Sequence, residues 1–364
     1  MLSNGGPMSI MNLEPMTSAD VYASRIGRTL NSGFTALLIS IGHRTRLFDT
    51  MAVLPPSTSN DIAVAAGLTE RYVREWLAAM TAARIVHYDV RTGTYFLPIE
   101  YAAVLTRGAG SANLAPATEL LSLLAGIEDM VVAGFHSGGG VMPEAYDRVH
   151  ALMASEKRLV IDEDYVRAML ELVPGLEQKL THGACVLDAG CGDGAVLMVM
   201  ARMFPRSAFR GYDISQRSID DANERLEETT LRNVEFAVGD VASLDEPRSY
   251  DLVLALESIH EQAFPRLALR NIANSLKREG VFLMQEVAAS SHLARNAENP
   301  YAPMLYALSL LHAVPVAMAQ DGEALGRMWG SERAAQMLRE AGFMRMAFHS
   351  LPSDPLRVFC AATR

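Results

Sequence analysis

The feature that most constrains this chain is the stretch 186–194, V-L-D-A-G-C-G-D-G. Its apolar start predicts a buried strand, and three glycines at every second position predict a sharp turn where the backbone comes close to a ligand. An apolar, helix-forming run follows at residues 195–204. A strand, a glycine-rich turn and a helix in this order predict a ligand-binding turn in an α/β domain.

The spacing of the glycines separates two kinds of ligand. A dinucleotide fingerprint has the form G-x-G-x-x-G, whereas here the glycines fall as G-x-G-x-G, with Asp188 two residues before Gly190. This arrangement resembles motif I of the class I S-adenosylmethionine-dependent methyltransferases. The resemblance implies that S-adenosyl-L-methionine is the cofactor, that Asp188 helps to hold its methionine end, and that Gly190 and Gly192 line it.

The next predicted strand, residues 208–212, ends in an acidic residue. Asp213 comes 19 residues after Gly194, a spacing at which an acid accepts hydrogen bonds from ribose hydroxyls. We predict that Asp213 and the neighbouring Ile214 contact the cofactor.

Two further predicted strands extend the pattern. The first, residues 234–238, leads into Gly239-Asp240-Val241, where the resemblance implies that Asp240 meets the adenine amino group and Val241 lies against the ring. The second, residues 250–256, leads into Glu257, which we also predict to contact the cofactor.

The composition indicates a folded protein with few nucleic-acid contacts. Of 364 residues, 50% are hydrophobic and 20% are charged, so extensive disorder is not expected. The net charge of −10 argues against a general affinity for nucleic acid, although a local basic patch remains open. The three cysteines form no zinc pattern and indicate reduced thiols, and no metal is expected.

The N-terminus does not resemble a secretory signal, and we expect no membrane span. Residues 1–20 contain no basic residue and no long apolar core, and no run reaches the roughly 18 to 20 apolar residues of a membrane span. We therefore expect a soluble, cytoplasmic protein. The domains that we predict are a disordered tip (1–20), a winged-helix or dimerisation domain (21–105), a helical connector (106–175) and the cofactor domain (176–364).

The region 21–105 resembles a winged helix. Residues 21–54 predict two helical pieces hinged near 31–33, residues 59–77 predict a helix, a glycine turn and a second helix, and β-prone runs follow at 85–88 and 95–97. Such a module binds DNA in some proteins. Here, however, eight acids balance eight arginines over residues 1–105, with no lysine. The resemblance to small-molecule O-methyltransferases implies a homodimer contact instead.

The remaining segments complete the predicted fold. A glycine-containing stretch at 135–141 predicts either a loop that closes on the site or a plain hinge, and residues 288–328 predict a helical lid insert whose apolar side chains either line a pocket or form ordinary core. A last helix and hairpin follow from residue 331. The fold class that we predict is a Rossmann-like α/β methyltransferase domain with a seven-stranded sheet.

His260 is the predicted catalytic residue. It stands four residues after the fourth strand, and ligands bind at the carboxyl ends of strands in open α/β sheets. In plant-type O-methyltransferases the base lies in a His-Asp-Trp motif, which here reads His260-Glu261-Gln262. Either His260 is the base or it only contacts the cofactor. The reserve candidates are Glu257, Glu286, His136 and His292.

These features predict methyl transfer from S-adenosyl-L-methionine to a small, fairly apolar acceptor, most plausibly at oxygen, with nitrogen and carbon left open. An alternative hypothesis is a regulator that senses the cofactor without catalysis and binds DNA through the winged helix. An NAD-dependent enzyme is disfavoured by the glycine spacing and by the C-terminal hairpin.

Overall fold

A computed structural model describes residues 18–352 and 354–364, which divide into two compact units that meet in sequence between Ser122 and Leu123. The α-helices that precede the seven-stranded sheet in sequence are α1 (Ser18–Arg44), α2 (Leu47–Val53), α3 (Ser59–Ala66), α4 (Glu70–Ala82), α5 (Ile99–Leu105), α6 (Ala115–Ala125), α7 (Glu128–Ser137), α8 (Asp147–Val160), α9 (Glu163–Glu171) and α10 (Leu176–His182). The later helices are α11 (Ala195–Met203), α12 (Gln216–Glu227), α13 (Pro265–Ser275), α14 (Leu293–Asn296), α15 (Ala302–Leu308), α16 (Val314–Met318) and α17 (Ser331–Glu340).

The strands form two separate sheets. They are β1 (His87–Asp89), β2 (Thr94–Phe96), β3 (Cys185–Ala189), β4 (Ala208–Asp213), β5 (Val234–Val238), β6 (Tyr250–Leu256), β7 (Leu276–Val287), β8 (Arg345–Leu351) and β9 (Asp354–Thr363). The first two pair as an antiparallel hairpin, and the other seven form one sheet in the order β5-β4-β3-β6-β7-β9-β8.

The first unit confirms the winged helix. Thr58 caps α3 in a capping box with Asp61, and Gly67 ends the helix in the left-handed conformation. Helix α4 follows and buries Trp76 beside Phe48, with ring centroids 5.1 Å apart. The hairpin of β1 and β2 then forms the wing.

Two expectations about the N-terminal helix are wrong. Helix α1 runs unbroken through residues 31–33, and the chain breaks instead at Arg46, whose φ is 59°. A single glycine inside a long helix costs only about 1 kcal/mol, so Gly33 does not interrupt it. Residues 18–20, expected to be disordered, belong to α1. The rest of that predicted tip, residues 1–17, lies outside the described residues.

The seven-stranded sheet of the second unit confirms the predicted fold class. Strands β3 to β7 run parallel, and β9 is antiparallel to both β7 and β8. Strand β3 lies at the centre between β4 and β6, and both β3 and β6 are almost continuously apolar because helices cover both faces of the sheet. The carboxyl ends of β3, β4 and β6 therefore meet at one edge.

The insert between β7 and α17 is helical, as predicted. It comprises α14, α15, a π-helical turn at Ser309–Ala313 and α16. The predicted loop at 135–141 is only partly a loop, since Phe135 and His136 belong to α7. Gly140 packs so closely on α16 that a Cβ there would lie 2.1 Å from the carbonyl oxygen of Pro315.

Candidate active site

The glycine turn after β3 is held by backbone hydrogen bonds to β4. The amides of Gly190 and Cys191 donate to the carbonyl oxygen of Tyr212 at 2.8 and 3.0 Å. A Cβ on Gly190 would lie 2.4 Å from Cβ of Ser258, so this position has no room for a side chain. At Gly192 an added Cβ would meet nothing within 4 Å. The turn is thus packed at its base and open at Gly192.

Asp193 fixes the far end of the same turn. Its carboxylate accepts hydrogen bonds from Arg158 of α8 and from Arg225 of α12, the second at 2.9 Å. These two arginines come from elements on either side of the turn in sequence, and they tie its backbone to the surrounding helices.

Asp188 lies at the end of β3 with 3% of its surface exposed. Its Oδ1 atom has no hydrogen-bond partner among the described residues. Burial raises the pKa of Asp188 to about 7, the charge of Lys157 opposes this shift, and Asp213 adds to it. A buried carboxylate with a free acceptor is suited to receive an N–H from a ligand, as the resemblance implied.

Asp213 joins the turn to the end of β4. Its Oδ2 accepts the amide hydrogen of Gly192 at 2.9 Å, and its Oδ1 accepts that of Ser215 at 2.9 Å. Burial raises the pKa of Asp213, while these two hydrogen bonds act in the opposite direction. Each carboxylate oxygen has a second lone pair for a ligand hydroxyl. The neighbouring Ile214 is 63% exposed, so its side chain is accessible to a bound molecule.

The acid after β5 has a structural role of its own. The carboxylate of Asp240 caps a short 3₁₀ turn by accepting the amide hydrogen of Ala242 at 2.8 Å. Val241 is only 3% exposed and belongs to a buried core cluster with Leu187 and Val253. A contact of Asp240 and Val241 with adenine remains a prediction.

Glu257 follows β6 in the left-handed conformation, with φ 59°. Its Oε2 lies 3.2 Å from Nε of Arg357 on β9. Burial alone raises the pKa of Glu257, but the charges of Arg357 and Lys157 outweigh it and lower the pKa to about 2. Glu257 is therefore an anion at neutral pH, and its contact with the cofactor remains a prediction.

Lys157 and Arg357 are site residues that the sequence analysis missed. Lys157 lies on α8 and donates to the carbonyl oxygen of Leu256 at 3.1 Å, at the carboxyl end of β6. Arg357 comes from β9, a hundred residues after Glu257. A run of local sequence carries no signal for such partners, because the fold brings them together from distant elements.

His260 is completely buried in a short 3₁₀ turn after β6. Its Nδ1 lies 2.5 Å from Oε2 of Glu286, and its backbone amide donates to Oε1 of the same carboxylate at 3.3 Å. Trp329 donates its indole N–H to Oε2 of Glu286 at 3.2 Å. The reserve candidate Glu286 is thus the partner of His260, placed there because β6 and β7 are neighbouring parallel strands.

The other ring nitrogen of His260 faces a second carboxylate. Nε2 has no hydrogen bond within the described structure and lies 3.6 Å from Oε1 of Glu261. Burial acts to lower the pKa of His260, but Glu286 and Glu261 outweigh it and raise the pKa to about 9. Nε2 is therefore the ring nitrogen of His260 without a hydrogen bond, and its role as a base remains a prediction.

Glu261 gathers further polar groups around that edge. Its Oε1 lies 3.3 Å from a terminal nitrogen of Arg327 and 3.6 Å from Nδ1 of His312. The Nε2 atoms of His312 and His150 are 2.7 Å apart, and burial lowers the pKa of His312 to about 3, so His312 is neutral. Glu261, which stands where the resembled motif has Asp, thus lies among ring and guanidinium nitrogens.

The other two reserve candidates lie outside this arrangement. His136 is exposed near the end of α7, and His292 is exposed at the start of α14. Among residues 18–352 and 354–364, neither forms a hydrogen bond or an ion pair with the residues around His260.

Family models match both parts of the chain. A model of the Rv2258c-like winged HTH domain matches residues 33–107, and a model described as a methyltransferase domain matches residues 180–342. The chain thus carries a winged-helix domain followed by a methyltransferase domain. Its cofactor domain belongs to the S-adenosylmethionine-dependent class, in agreement with the glycine turn, the orphaned carboxylate oxygen of Asp188 and the acid at Asp213.

Solved structures share this fold over nearly the whole chain. A putative O-methyltransferase from Nostoc punctiforme is 18% identical and covers 96% of this chain and 100% of its own, with a TM-score of 0.73. An O-methyltransferase family protein from Burkholderia thailandensis is 17% identical, with a TM-score of 0.70 and coverage of 96% and 99%. At these identities the likeness establishes the fold alone.

Among curated proteins, similarity is confined to part of each chain. The (S)-coclaurine N-methyltransferase of Papaver somniferum is 26% identical over 48% of this chain and 51% of its own length. The ubiquinone biosynthesis O-methyltransferase of Neisseria meningitidis is 30% identical over 29% and 45%. The chain thus spans about half the length of these relatives or less. They differ in the atom that they methylate.

No single helix among the described residues has the length and apolar composition needed to cross a membrane, and only the bent pair α6 and α7 meets both conditions when taken together.

Proposed function

We propose that this winged-helix methyltransferase transfers the methyl group of S-adenosyl-L-methionine to an oxygen of a small, fairly apolar acceptor. The observation that carries the proposal is His260, whose Nδ1 is fixed by Glu286 while its Nε2 stays without a hydrogen bond. It lies at the carboxyl ends of the strands, next to the glycine turn, where ligands of α/β sheets bind. An acceptor hydroxyl needs a base near its oxygen, and His260 supplies one.

The residues proposed to hold the cofactor are Asp188, Gly190, Gly192, Asp213, Ile214, Asp240, Val241 and Glu257. When bound, the cofactor supplies an activated methyl group on a positively charged sulfur. The chain itself has to align the acceptor oxygen and take up its proton. His260 takes this proton at Nε2, and Glu286 stabilises the imidazolium that results.

The pKa of His260 predicts how the rate of methyl transfer depends on pH. Burial favours the neutral ring, yet Glu286 and Glu261 raise the pKa to about 9, so the imidazole is mostly protonated at neutral pH. A base works only in its neutral form, and we expect kcat/KM to rise with pH up to about 9.

The apolar character of the acceptor is inferred from the insert. Ala302, Leu305 and Met328 form a buried cluster with Val287 at the end of β7, close in sequence to Glu286. Met304 on α15 and Tyr301, which immediately precedes this helix, are half exposed and available to a ligand. Apolar walls with a few polar groups are typical of small-molecule sites.

The first experiment is calorimetric titration of wild-type protein with S-adenosyl-L-methionine and S-adenosylhomocysteine. Binding is expected, and its absence would overturn the cofactor assignment. Methyl transfer is then measured against phenols and their O-methylated analogues, with His260→Ala as the inactive control. Product from the phenols alone supports oxygen as the acceptor atom.

Nitrogen is the second candidate acceptor, because several curated relatives are described as N-methyltransferases. Each phenol is therefore paired with the aniline of the same skeleton. Methylation of the anilines alone would move the proposal from oxygen to nitrogen and keep the cofactor assignment.

We also propose a homodimer formed through α1. One face of this helix exposes large apolar side chains at helical spacing, namely Tyr22, Ile26, Leu30, Phe34 and Ile41. Light scattering of the wild type and of Leu30→Glu tests this: the variant is expected to be monomeric, and a monomeric wild type contradicts the proposal. The free cysteines Cys185, Cys191 and Cys360 support a cytoplasmic location.

The DNA-binding alternative is weakened by the second helix of the winged helix. On α4, Arg71 pairs with Glu75 at 2.5 Å and Arg74 lies 3.5 Å from Glu70, so both cations are offset within their own helix. Sequence-specific DNA retention with a steep salt dependence, together with an absence of methyl transfer, would favour the regulator.

A further inference from the structure

Trp329 lies between the insert and α17 and contacts the carboxylate that holds His260. Its indole N–H donates to Oε2 of Glu286 at 3.2 Å, and this is the same oxygen that lies 2.5 Å from Nδ1 of His260. The three side chains are 4%, 3% and 0% exposed, respectively. One oxygen atom therefore serves two donors in a buried site.

The position of Trp329 is fixed from several sides. Ser291 donates its hydroxyl to the carbonyl oxygen of Trp329 at 2.8 Å. Gly330 allows the neighbouring loop to come close, since a Cβ there would lie 2.0 Å from the amide nitrogen of Ser291. The indole belongs to a buried cluster with Met284 and Phe343. This close packing holds the Trp329 side chain in one rotamer, with its N–H directed at Glu286.

A second donor on the same oxygen changes how strongly Glu286 holds the proton of His260. The indole N–H stabilises the carboxylate charge and so weakens its attraction for the imidazolium. Without this donor, Glu286 interacts more strongly with His260 and the imidazole keeps its proton to higher pH. The indole therefore makes the neutral, basic form of His260 available at a lower pH.

We propose that Trp329 is a positioning residue that orients Glu286 and, through it, sets the proton affinity of His260. The role rests on the proposed function in one respect, that the neutral imidazole takes the acceptor proton at Nε2 as the new oxygen–carbon bond forms. The hydrogen-bond relay itself does not depend on which acceptor is used.

Other charged or titratable groups face His260 and bear on its titration. They are Glu286 on β7, Glu261 on its own turn, Glu257 after β6, His312 in the π-helical turn and Arg327 before Trp329. All of them are retained in Trp329→Phe, which removes the indole N–H and keeps an aromatic ring in the core. A change in titration in this variant thus reports the missing donor.

The chain offers a matched control in its second tryptophan. Trp76 is also 4% exposed and donates its indole N–H, in this case to the carbonyl oxygen of Leu38 at 2.8 Å in the first unit. In Trp329→Phe the midpoint of the pH profile of kcat/KM is expected to rise by about one pH unit. At pH 7.5 this shift lowers kcat/KM by about tenfold, because a smaller fraction of His260 is neutral. In Trp76→Phe the midpoint is expected to stay where it is. An unchanged midpoint in Trp329→Phe overturns the proposal.

A second measurement needs no acceptor. The chain has two tryptophans, so Trp329 is the sole tryptophan in Trp76→Phe. Its emission is expected to titrate with a midpoint near the pKa of His260, about 9, and to lose this transition when His260→Gln is added. A transition that persists after His260→Gln overturns the coupling. If emission titrates as expected but no acceptor is methylated, the coupling stands and the proposed function fails.

Discussion

Nδ1 of His260 lies 2.5 Å from Oε2 of Glu286 in a fully buried position. Taking an imidazolium and a carboxylate out of water is expensive, and such a pair persists only when the geometry is good and the remaining lone pairs are used. Here the backbone amide of His260 and the indole of Trp329 use them. The pair is thus built so that the ring can carry a proton inside the protein.

Glu286→Gln removes the charge and keeps the shape of this pair. Because the carboxylate raises the pKa of His260, we expect the midpoint of the pH profile of kcat/KM to fall by more than one unit, and the rate on the alkaline plateau to fall about tenfold or more as the imidazolium loses its counter-charge. The measurement is kcat/KM from pH 6 to 10. The exposed Glu279→Gln on the same strand serves as control, and an unmoved midpoint in Glu286→Gln contradicts the pairing.

Gly190→Ala and Gly192→Ala separate packing from cofactor binding. Both glycines have positive φ, at 91° and 55°, so alanine brings similar backbone strain of about 1 kcal/mol to each. Only at Gly190 does the new Cβ collide, at 2.4 Å from Ser258, and we expect a further loss of about 1 to 3 kcal/mol in the free energy of unfolding there.

At Gly192 the new methyl group enters open space, and the expected effect is weaker cofactor binding with a small stability change. Urea unfolding and calorimetric titration of both variants check this. Unchanged cofactor affinity in Gly192→Ala would contradict the proposal that this open space receives the cofactor.

Asp213→Ala is expected to lower cofactor affinity by at least tenfold. The carboxylate is the proposed partner of the ribose hydroxyls, and it also holds the amide of Gly192 at 2.9 Å, so its loss loosens the turn as well. Calorimetry with S-adenosylhomocysteine measures the change. Asp221→Ala on the exposed side of α12 is the control, and equal affinity of both variants speaks against the ribose contact.

Asp188→Asn is expected to stabilise the free protein above neutral pH. The pKa of Asp188 is raised to about 7 from 3.8, so the folded state binds a proton that the unfolded state releases, and stability falls as pH rises from about 4 to 7. The pKa shift means that ionisation of Asp188 lowers the free energy of unfolding by at most roughly 4 kcal/mol. At pH 8 we expect Asp188→Asn to regain about 1 to 3 kcal/mol of this loss.

The difference between the two proteins should become small near pH 4, where folded Asp188 keeps its proton and a large part of the unfolded chains carries it too. Urea unfolding at pH 4 and pH 8 measures it, and calorimetry is expected to show weaker cofactor binding by the variant. A variant that is less stable at pH 8 would mean that the charge of Asp188 is satisfied in the folded state.

The sheet and the glycine turn were predictable because their signals are local. An apolar run before G-x-G-x-G predicts β3 and its turn, and the spacing to Asp213 predicts the end of β4. Wrong expectations arose where local signals are weak. Gly33 and its neighbours resembled a hinge, but α1, a helix of 27 residues, accommodates Gly33 as it does Gly27 and Gly42.

The environment of His260 was only partly predictable. The strand-end rule placed His260 and Glu286 at the same edge of the sheet, and a pairing of β6 with β7 could have been inferred from it. Trp329 and His312 arrive from the insert, and Lys157 arrives from α8. Each of these contacts joins residues that are about 40 to 100 positions apart in sequence. The periodicity of a local sequence segment carries no information about such contacts.

The close packing of Gly140 on α16 joins two segments that are distant in sequence. The carbonyl oxygen of Pro315 accepts hydrogen bonds from the amides of both Val141 and Ala319 at 3.0 Å. A motion that lifts one segment alone leaves a backbone group without its partner. We expect the amide hydrogens of Val141 and Ala319 to exchange with solvent in the same cooperative opening, so that the rate at which this part of the protein breathes is common to both segments.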